Sequence, residues 1–240
     1  MISFSNGNTF IVTGSASGLG AETSRLLLSL GARVVGVDLV DSQNISKNDN
    51  FFPERKDLTE DLNALPEYVK SLKEKYGKFS GLVVCAGRTL IQPLRSLDPA
   101  AAKCLFDLNF FAPVMLAKAV ADKRNNIGAG TSIVFISSIE RLTAEKGMIA
   151  YASAKAALTA SAKCMAKELA SAGIRVNSIS PGDMVTPMTQ AIPNFFDNRK
   201  DMFPLGFGHP ADVSNLIAFL LSDKSSWITG KDYIIDGGCL

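Results

Sequence analysis

Short apolar runs alternate with longer mixed stretches along almost the entire chain. The runs are rich in β-branched residues and lack polar alternation, which is typical of strands buried on both faces. The predicted strands are TFIVTG (9–14), RVVGVD (33–38), GLVVCAG (81–87), TSIVFISS (131–138), IRVNSIS (174–180) and DYIID (232–236). Helices are predicted at 18–30, 60–75, 100–125, 150–172 and 210–221, and a polar loop from Asp41 to Asn50 leads to a short segment, FFPERKD.

Apolar strands separated by helices indicate a parallel sheet with helices on both faces. We therefore predict an α/β fold of the doubly wound type with about seven strands. No linker or repeat interrupts the alternation, so residues 1–240 are predicted to form one domain. Ligands of such sheets bind beyond the carboxyl ends of the strands, and the chemically unusual stretches TGSASGLG, VDL, CAG and ISS all lie there.

The composition narrows the range of partners. The chain has 240 residues, of which 47% are hydrophobic, and its formal net charge of +2 gives no reason to expect nucleic acid or a membrane. No apolar run approaches the roughly 20 residues that span a bilayer, and the amino terminus lacks a signal-peptide pattern. We therefore expect a cytoplasmic protein with a small-molecule ligand. The scattered cysteines are expected to be buried, reduced thiols rather than disulfides or zinc ligands.

The segment TGSASGLG (13–20) joins the first strand to the first helix. Gly14, Gly18 and Gly20 allow a tight turn and a close approach to a ligand. The amino terminus of the helix then offers free N–H groups to a pyrophosphate. The spacing G-x-x-x-G-x-G differs from the dinucleotide fingerprint G-x-G-x-x-G, so a purely structural turn is the alternative interpretation.

Asp38 ends the second strand, where a carboxylate can accept hydrogen bonds from an adenosine ribose. A 2′-phosphate would meet a like charge there, and no Arg or Lys follows at Leu39 or Val40, while Ser17 in the glycine-rich turn is neutral. These residues favour NAD over NADP. A solvated carboxylate at the end of a strand is the alternative explanation of Asp38.

Tyr151 and Lys155, in YASAK, are four residues apart and therefore share one face of a predicted helix. The pKa of a free tyrosine, near 10, is too high for an efficient base at neutral pH, and lowering it to about 7 requires roughly 4 kcal/mol. An ammonium about 4 Å away, at an effective dielectric near 20, supplies about 4 kcal/mol. We expect Lys155 to lower the pKa of Tyr151 in this way, although Y-x-x-x-K also occurs as a chance surface pair.

Two further polar residues could join this pair. Ser138 ends the strand before the helix of Tyr151, so its hydroxyl could donate to a substrate carbonyl as charge builds on oxygen. Asn109 lies within a predicted helix, although asparagine is a poor helix former. An ordinary contact between its side chain and the backbone is the alternative explanation of Asn109.

Taken together, these residues resemble the short-chain dehydrogenase/reductase family, in its shorter single-domain branch. The resemblance extends from Thr9 to about Gly238. It rests on TGSASGLG, Asp38, DLT (57–59), CAG (85–87), Asn109, Ser138, YASAK, PGDMVT (181–186) and ITGKDYIIDGG near the end. It implies a Rossmann-type fold and an oxidoreductase that transfers hydride reversibly between NAD(H) and a secondary alcohol or ketone, without a metal.

The resemblance also assigns roles to single residues. It implies that Tyr151 is the catalytic acid/base, that Lys155 lowers its pKa and binds the nicotinamide ribose, and that Ser138 orients the carbonyl. Asn109 would hold a water that connects Lys155 to a proton relay. The implied cofactor-binding residues are Gly14, Ser17, Gly18, Leu19, Gly20, Asp38, Leu39, Asp57, Leu58, Cys85, Ala86, Gly87, Tyr151, Lys155, Ile179, Pro181, Gly182 and Thr186. Cys85 stands where the family usually has asparagine, which would weaken a structural hydrogen bond but remove no reacting group.

The segment 184–208 resembles the variable lid of the family. Its apolar side chains are expected to cover the substrate, with an ordinary place in the core as the alternative: Met184, Met188, Phe195, Phe196, Met202, Phe203 and Phe207. Glu140, Arg141 and Arg88 could contact a polar substrate, but we expect Glu140 and Arg141 to be exposed to solvent. His209, which precedes Pro210, is expected to cap a helix.

Other functions stay open. A 3-oxoacyl-carrier-protein reductase would usually prefer NADP and need a basic docking patch, and Asp38 argues against that preference. A non-catalytic dinucleotide-binding regulator would tolerate the loss of Tyr151 or Lys155, and neither is lost. By resemblance we expect a homotetramer or homodimer, with the helices around 103–124 and 150–172 at one two-fold axis and the terminal strand near another.

Overall fold

The computed structural model describes residues 1–42, 45 and 48–240. The strands are β1 Thr9–Thr13, β2 Arg33–Asp38, β3 Phe51–Arg55, β4 Gly81–Val84, β5 Ser132–Ile136, β6 Arg175–Pro181 and β7 Asp232–Ile235. Within the described residues these seven strands form one sheet in the order β3-β2-β1-β4-β5-β6-β7, and every pairing is parallel. The α/β fold with about seven parallel strands is thus confirmed.

Helices lie on both faces of the sheet. They are α1 Gly18–Ser29, α2 Leu65–Tyr76, α3 Pro99–Phe106, α4 Ala112–Ala121, α5 Glu140–Thr143, α6 Ile149–Leu169, α7 Pro187–Gln190, α8 Phe195–Arg199 and α9 Pro210–Leu221. Short 3₁₀ turns occur at Leu62–Ala64, Leu94–Ser96, Ala170–Ala172, Lys200–Met202 and Asp223–Ser225.

The two faces of the sheet bury separate hydrophobic clusters. In β1 the side chain of Ile11 joins the cluster beneath α2, α4 and α6. Its neighbours Phe10 and Val12 point to the opposite face and pack beneath α1 and α9. Because successive side chains of a strand alternate between faces, one apolar run supplies both cores.

Two strands end two or more residues earlier than the sequence predicted. β4 ends at Val84 rather than at Gly87, because the N–H of Ala86 donates to the hydroxyl of Thr13, at 3.1 Å, instead of to a neighbouring strand. β5 ends at Ile136, so Ser138 lies two residues beyond the strand and not at its last position. The residues between strand end and helix are therefore free to line a site.

The predicted helix 100–125 is divided into three parts. A π-helical segment, Asp107–Phe111, lies between α3 and α4. Pro113 has no N–H, so the carbonyl of Asn109, four residues earlier, lacks its α-helical donor. The segment Pro99–Ala121 is long and apolar enough to cross a membrane, but it packs against α2 and α6 within this fold.

Three smaller differences concern β3, α2 and a loop. The FFPERKD segment forms β3 at the edge of the sheet, a position that tolerates Pro53. The helix predicted at 60–75 begins at Leu65, after a 3₁₀ turn. The predicted polar loop Asp41–Asn50 lies partly outside the described residues.

The prediction of buried thiols is only partly right. All four cysteines are free, but Cys104 and Cys164 are exposed. Cys104 lies on α3 and Cys164 on α6. Cys85 and Cys239 are half-buried.

Candidate active site

A cavity of about 650 Å³ opens at the carboxyl ends of the central strands. Nearly all the predicted site residues line it: Gly14, Ser17, Gly18, Leu19, Gly20, Asp38, Leu39, Asp57, Leu58, Cys85, Ala86, Gly87, Ser138, Tyr151, Lys155, Pro181, Gly182 and Thr186. Asn109 and Ile179 are fully buried and are not part of its lining. The loops that follow different strands thus meet around one space.

The glycine-rich turn is shaped by close backbone contacts. Gly14 has a φ of +70°, and a Cβ there would lie 2.9 Å from the N of Ala86. A Cβ on Gly20 would lie 2.1 Å from the carbonyl oxygen of Gly14, so only glycine allows the start of α1 to pack against the turn. Both glycines are needed for the path of the backbone, independently of any ligand.

The amino terminus of α1 has room for an anion. Its first backbone bond runs from the N–H of Ala21 to the carbonyl of Ser17, at 3.1 Å. Ser17 makes no side-chain cap and the first turn holds no acidic residue, so the N–H groups of Gly18, Leu19 and Gly20 have no hydrogen-bond partner among the described residues. Free N–H groups beside a cavity fit the phosphates of a dinucleotide.

Asp38 is fixed by two backbone donors. Its Oδ2 accepts the N–H of Ala16 at 2.9 Å, and its Oδ1 accepts the N–H of Val40 at 3.2 Å. Sequence reasoning missed two cations at the end of the neighbouring strand β3, Arg55 and Lys56. Arg55 is paired with Asp38 in the register of the sheet, and Lys56 lines the cavity. The parallel pairing of β2 and β3 was the signal that could have revealed them.

Asp57 closes the adenine end of the predicted site. Its Oδ1 accepts both the N–H of Thr59 at 2.8 Å and the hydroxyl of Thr59 at 2.7 Å. These hydrogen bonds lower the pKa of Asp57, so this carboxylate is ionised in the cavity wall at neutral pH.

Tyr151 lies in the first turn of α6, near the hydroxyl of Ser138. Burial raises the pKa of Tyr151 to about 12, and a hydrogen bond with Ser138 opposes this rise. The charges of Glu140 and Asp183 raise the pKa further. The Oγ of Ser138 accepts the N–H of Glu140 at 3.2 Å, which leaves its own hydrogen available for donation.

Lys155 is buried, and its Nζ donates to the carbonyl of Ile136 at 2.7 Å. The Nζ lies 5.7 Å from the centroid of the Tyr151 ring. Burial lowers the pKa of Lys155 to about 8. Lys155 is not among the groups that shift the pKa of Tyr151 in the protein without cofactor, so the expected lowering of that pKa by Lys155 stays a prediction.

Asn109 holds the backbone beside the cavity. Its Oδ1 accepts the N–H of Arg88 at 3.0 Å and its Nδ2 donates to the carbonyl of Arg88 at 2.9 Å. This is the side-chain-to-backbone contact that was its alternative explanation. A Cβ on Gly87 would lie 3.3 Å from Asn109 Oδ1 and 3.6 Å from Lys155 Nζ, so this amide lies close to the ammonium. Arg88 itself is exposed and lines the cavity.

Glu140 and Arg141 were expected to be exposed to solvent, but neither side chain is exposed. Glu140 is buried, and Arg141 donates to Asp232 of β7 and to the hydroxyl of Ser180. Both partners of Arg141 lie on strands far along the chain, so no local pattern could reveal them. The loop after Ser138 is thereby attached to the sheet.

The lid residues divide between the cavity and the protein interior. Met184 and Met188 line the cavity, with Thr186 and Pro187. Phe203 is buried, whereas Phe195, Phe196 and Phe207 form a stack of edge-to-face rings. Most of the lid aromatics therefore pack on one another instead of covering the substrate space. His209 occupies the predicted N-cap position of α9, but the side chain that makes the capping contact is that of Asp212, which accepts the N–H of His209 at 2.7 Å.

Comparison with known sequences gives a consistent result. Residues 14–239 match the family described as enoyl-(acyl carrier protein) reductase. A 3-oxoacyl-[acyl-carrier-protein] reductase of Thermotoga maritima is 33% identical over 97% of this chain and 97% of its own length. A 3-alpha-(or 20-beta)-hydroxysteroid dehydrogenase of Mycobacterium bovis is 31% identical over 97% of this chain and 89% of its own.

Solved structures agree with this relationship. A dehydrogenase/reductase from Sinorhizobium meliloti superposes with a TM-score of 0.90 and 27% identity, over 99% of this chain and 96% of that one. A short-chain type dehydrogenase/reductase from Mycobacterium ulcerans superposes with a TM-score of 0.89 and 29% identity, over 99% and 91% of the two chains. The chain therefore belongs to the short-chain dehydrogenase/reductase family, whose members are oxidoreductases that act on small molecules with NAD(P)(H).

Proposed function

We propose that this protein transfers hydride reversibly between NAD(H) and a secondary alcohol or ketone, with Tyr151 as the acid/base. The observation that carries the proposal is one cavity lined both by the glycine-rich turn and by Ser138, Tyr151 and Lys155. A dinucleotide needs a phosphate-binding end and a reacting end in the same space. The chain supplies both.

The residues of the chain have separate tasks in this reaction. The free N–H groups at the start of α1 would hold the pyrophosphate, Asp38 the adenosine ribose and Lys155 the nicotinamide ribose. A bound nicotinamide would accept or deliver the hydride. Ser138 orients the substrate oxygen, because the N–H of Glu140 occupies a lone pair of its Oγ and leaves its hydrogen to donate.

Tyr151 moves one proton at the substrate oxygen. Its Oη donates this proton in ketone reduction and accepts it in alcohol oxidation. Burial raises its pKa to about 12 in the protein without cofactor, so the phenol is protonated there at neutral pH. Alcohol oxidation requires the phenolate, so its rate should rise with pH.

A panel of ketones and alcohols tests the proposal through the absorbance of NADH. Tyr151→Phe should abolish turnover while leaving NAD binding, measured by calorimetry, close to that of the wild type. Tyr76→Phe is the matched control, because Tyr76 bonds Glu54 away from the cavity and should keep turnover unchanged. Full turnover in Tyr151→Phe would refute the assignment.

A 3-oxoacyl-carrier-protein reductase is the second candidate, favoured by the 33% identity with the Thermotoga enzyme of that name. Its substrate is a 3-ketone linked as a thioester, whereas the first candidate acts on free ketones. Acetoacetyl thioesters compared with cyclic and sugar ketones separate the two. A preference for the thioester of at least about tenfold in kcat/KM, or about 1.4 kcal/mol, would favour the reductase.

We propose NAD rather than NADP as the cofactor. The carboxylate of Asp38 would repel a 2′-phosphate, although Arg55 ends the adjacent strand β3 and Lys56, which lines the cavity, directly follows it. Lys56 is already paired with Glu60 at 2.6 Å. We expect kcat/KM to be at least about tenfold higher with NAD, and Asp38→Ser to reverse part of this preference. A wild-type preference for NADP would contradict the role of Asp38.

A further inference from the structure

Arg199, the last residue of α8 in the lid, contacts three carboxylates from separate parts of the chain. Its Nε donates to Asp183, its Nη1 lies 3.2 Å from Glu145, and its Nη2 lies 3.7 Å from Glu140. Its guanidinium also lies over the ring of Phe195, 5.5 Å from the centroid. We call Arg199 and these three carboxylates the Arg199 cluster.

The cluster is largely shielded from water. The side chains of Arg199 and Asp183 are each 16% exposed and that of Glu140 is 9% exposed, while Glu145 is the most open at 35%. Screening is weaker for such partly buried charges than for surface pairs. Among the described residues, no second cation lies within 4.0 Å of the three carboxylates. Removing Arg199 would leave them without compensation, which is costly at this burial.

Two of these carboxylates lie beside the reacting groups. The backbone N–H of Glu140 holds the Oγ of Ser138 at 3.2 Å, and its carboxylate holds the N–H of Glu145 at 3.1 Å. Asp183 follows directly on the cavity wall formed by residues 181–182. The charges of Glu140 and Asp183 both raise the pKa of Tyr151.

The remaining charged groups nearby come from three other elements. Asp236 and Cys239, in the C-terminal segment, are close enough to the cluster that its charges affect the pKa of Cys239. Lys155 of α6 donates to the backbone of β5, and Arg141 of α5 is paired with Asp232. Arg199 is thus the group that balances the acidic side of the site.

We propose that Arg199 is a positioning residue that holds the lid closed and compensates the carboxylates beside Tyr151. Moving α8 away would separate the guanidinium from Glu140 and Asp183, which are fixed near the sheet. Closure of the lid and neutralisation of the acidic wall therefore occur together. This inference rests on the proposed role of Tyr151 as acid/base.

Arg199→Met tests the proposal, because methionine keeps much of the length without the charge. We expect the substrate KM to rise about tenfold, since the closed lid is less populated. The midpoint of the pH profile for alcohol oxidation should move up by about one unit, because the uncompensated carboxylates disfavour the phenolate. In Arg199→Lys, which keeps the positive charge, both the KM and the pH midpoint should lie between those of the wild type and Arg199→Met. Adding Glu140→Gln to Arg199→Met should return the pH midpoint towards the wild-type value.

Hydrogen exchange of residues 187–202 supplies a measurement that does not depend on catalysis. Exchange there should be faster in Arg199→Met than in the wild type and intermediate in Arg199→Lys. Arg124→Met is the matched control, since Arg124 pairs with Asp122 on the surface away from the cavity. It should change neither the pH profile nor the exchange.

The outcomes separate this inference from the proposed function. Turnover retained in Tyr151→Phe would remove the proposed acid/base, whereas faster exchange in Arg199→Met would still support the lid contact. An Arg199→Met protein with wild-type exchange and a wild-type pH midpoint would overturn the inference. A loss of kcat without either change would overturn it too, because it would indicate a merely structural role.

Discussion

Tyr151 owes its high pKa to burial, which disfavours the phenolate more strongly than the hydrogen bond with Ser138 favours it. Burial also lowers the pKa of Lys155, because it disfavours the charged ammonium. In the protein alone, both residues are therefore displaced towards their neutral forms. A positive charge brought into the cavity would favour the phenolate, and a ribose hydroxyl that accepts a hydrogen bond from Lys155 would stabilise the ammonium.

We expect the buried ammonium of Lys155 to lower the stability of the folded protein. Its pKa is about 8 in the fold against about 10.4 in an unfolded chain. The difference corresponds to about 3 kcal/mol, from which the hydrogen bond to Ile136 recovers about 1 kcal/mol. We predict that Lys155→Met abolishes turnover and yet raises Tm by about 4–8 °C at neutral pH, measured by calorimetry without cofactor.

The pH dependence of the higher Tm expected for Lys155→Met provides the control. Between pH 8 and pH 10.4 the unfolded chain binds more protons at Lys155 than the folded protein does, so the contribution of Lys155 to stability rises with pH. The advantage of Lys155→Met should therefore shrink as the pH is raised across this interval. An advantage that stayed constant would contradict the assigned cause.

The sequence reveals some residues of the site and hides others. Ser138, Tyr151 and Lys155 could be predicted because a strand end and one helical turn bring them together locally. The burial of Glu140 could not, because it depends on a contact with Arg199 in the lid. Contacts between distant segments have no local signature, so the residues that set the charge around Tyr151 emerge only from the fold.

At the scale of elements, the π segment Asp107–Phe111 connects the helix α3–α4 to the loop after β4. Asn109 makes this connection through two hydrogen bonds with the backbone of Arg88. Since Asn109 is fully buried, removing its amide would leave an N–H and a carbonyl without partners. We predict that Asn109→Ala lowers stability by about 3 kcal/mol and Tm by about 6–12 °C, measured by thermal unfolding.

The exposed Asn63 provides a comparison for this substitution. Asn63→Ala, in the 3₁₀ turn before α2, should change Tm by less than about 2 °C. If Asn109→Ala also changed Tm by less than about 2 °C, the two hydrogen bonds between Asn109 and the backbone of Arg88 would not contribute measurably to stability.

The existence of the elements could be predicted more reliably than their ends. The β-branched runs predict β1, β2 and β5 because the residues of each are buried on both faces. The end of β4 depends on the hydroxyl of Thr13, which captures the N–H of Ala86. The π segment carried one visible signal, Pro113, whose missing N–H disturbs the helical bonding before it.

At the scale of the whole molecule, the parallel topology explains why separate motifs form one site. Every strand runs in the same direction, so the loops after β1, β2, β4, β5 and β6 leave from the same edge of the sheet. The cavity could be predicted from sequence for this reason, since each motif follows a predicted strand. The shape of the lid could not, because its rings pack on one another in an order that no period in the sequence encodes.

The protein is predicted to form a homotetramer or homodimer, and exposed apolar side chains on its surface are relevant to this prediction. Phe111, between α3 and α4, is 44% exposed, while Trp227 and Ile234, near the terminal strand, are 98% and 44% exposed. Large apolar side chains at both predicted two-fold axes would be buried by association. We predict that the wild type sediments as a dimer or tetramer and that Phe111→Glu shifts it towards smaller species, whereas Leu94→Glu, in an exposed 3₁₀ turn outside the helices and strand predicted to form the two axes, does not. A monomeric wild type in analytical ultracentrifugation would contradict the predicted assembly and leave the proposed chemistry intact, because the proposed acid/base and its neighbours Ser138 and Lys155 line a cavity of the same chain.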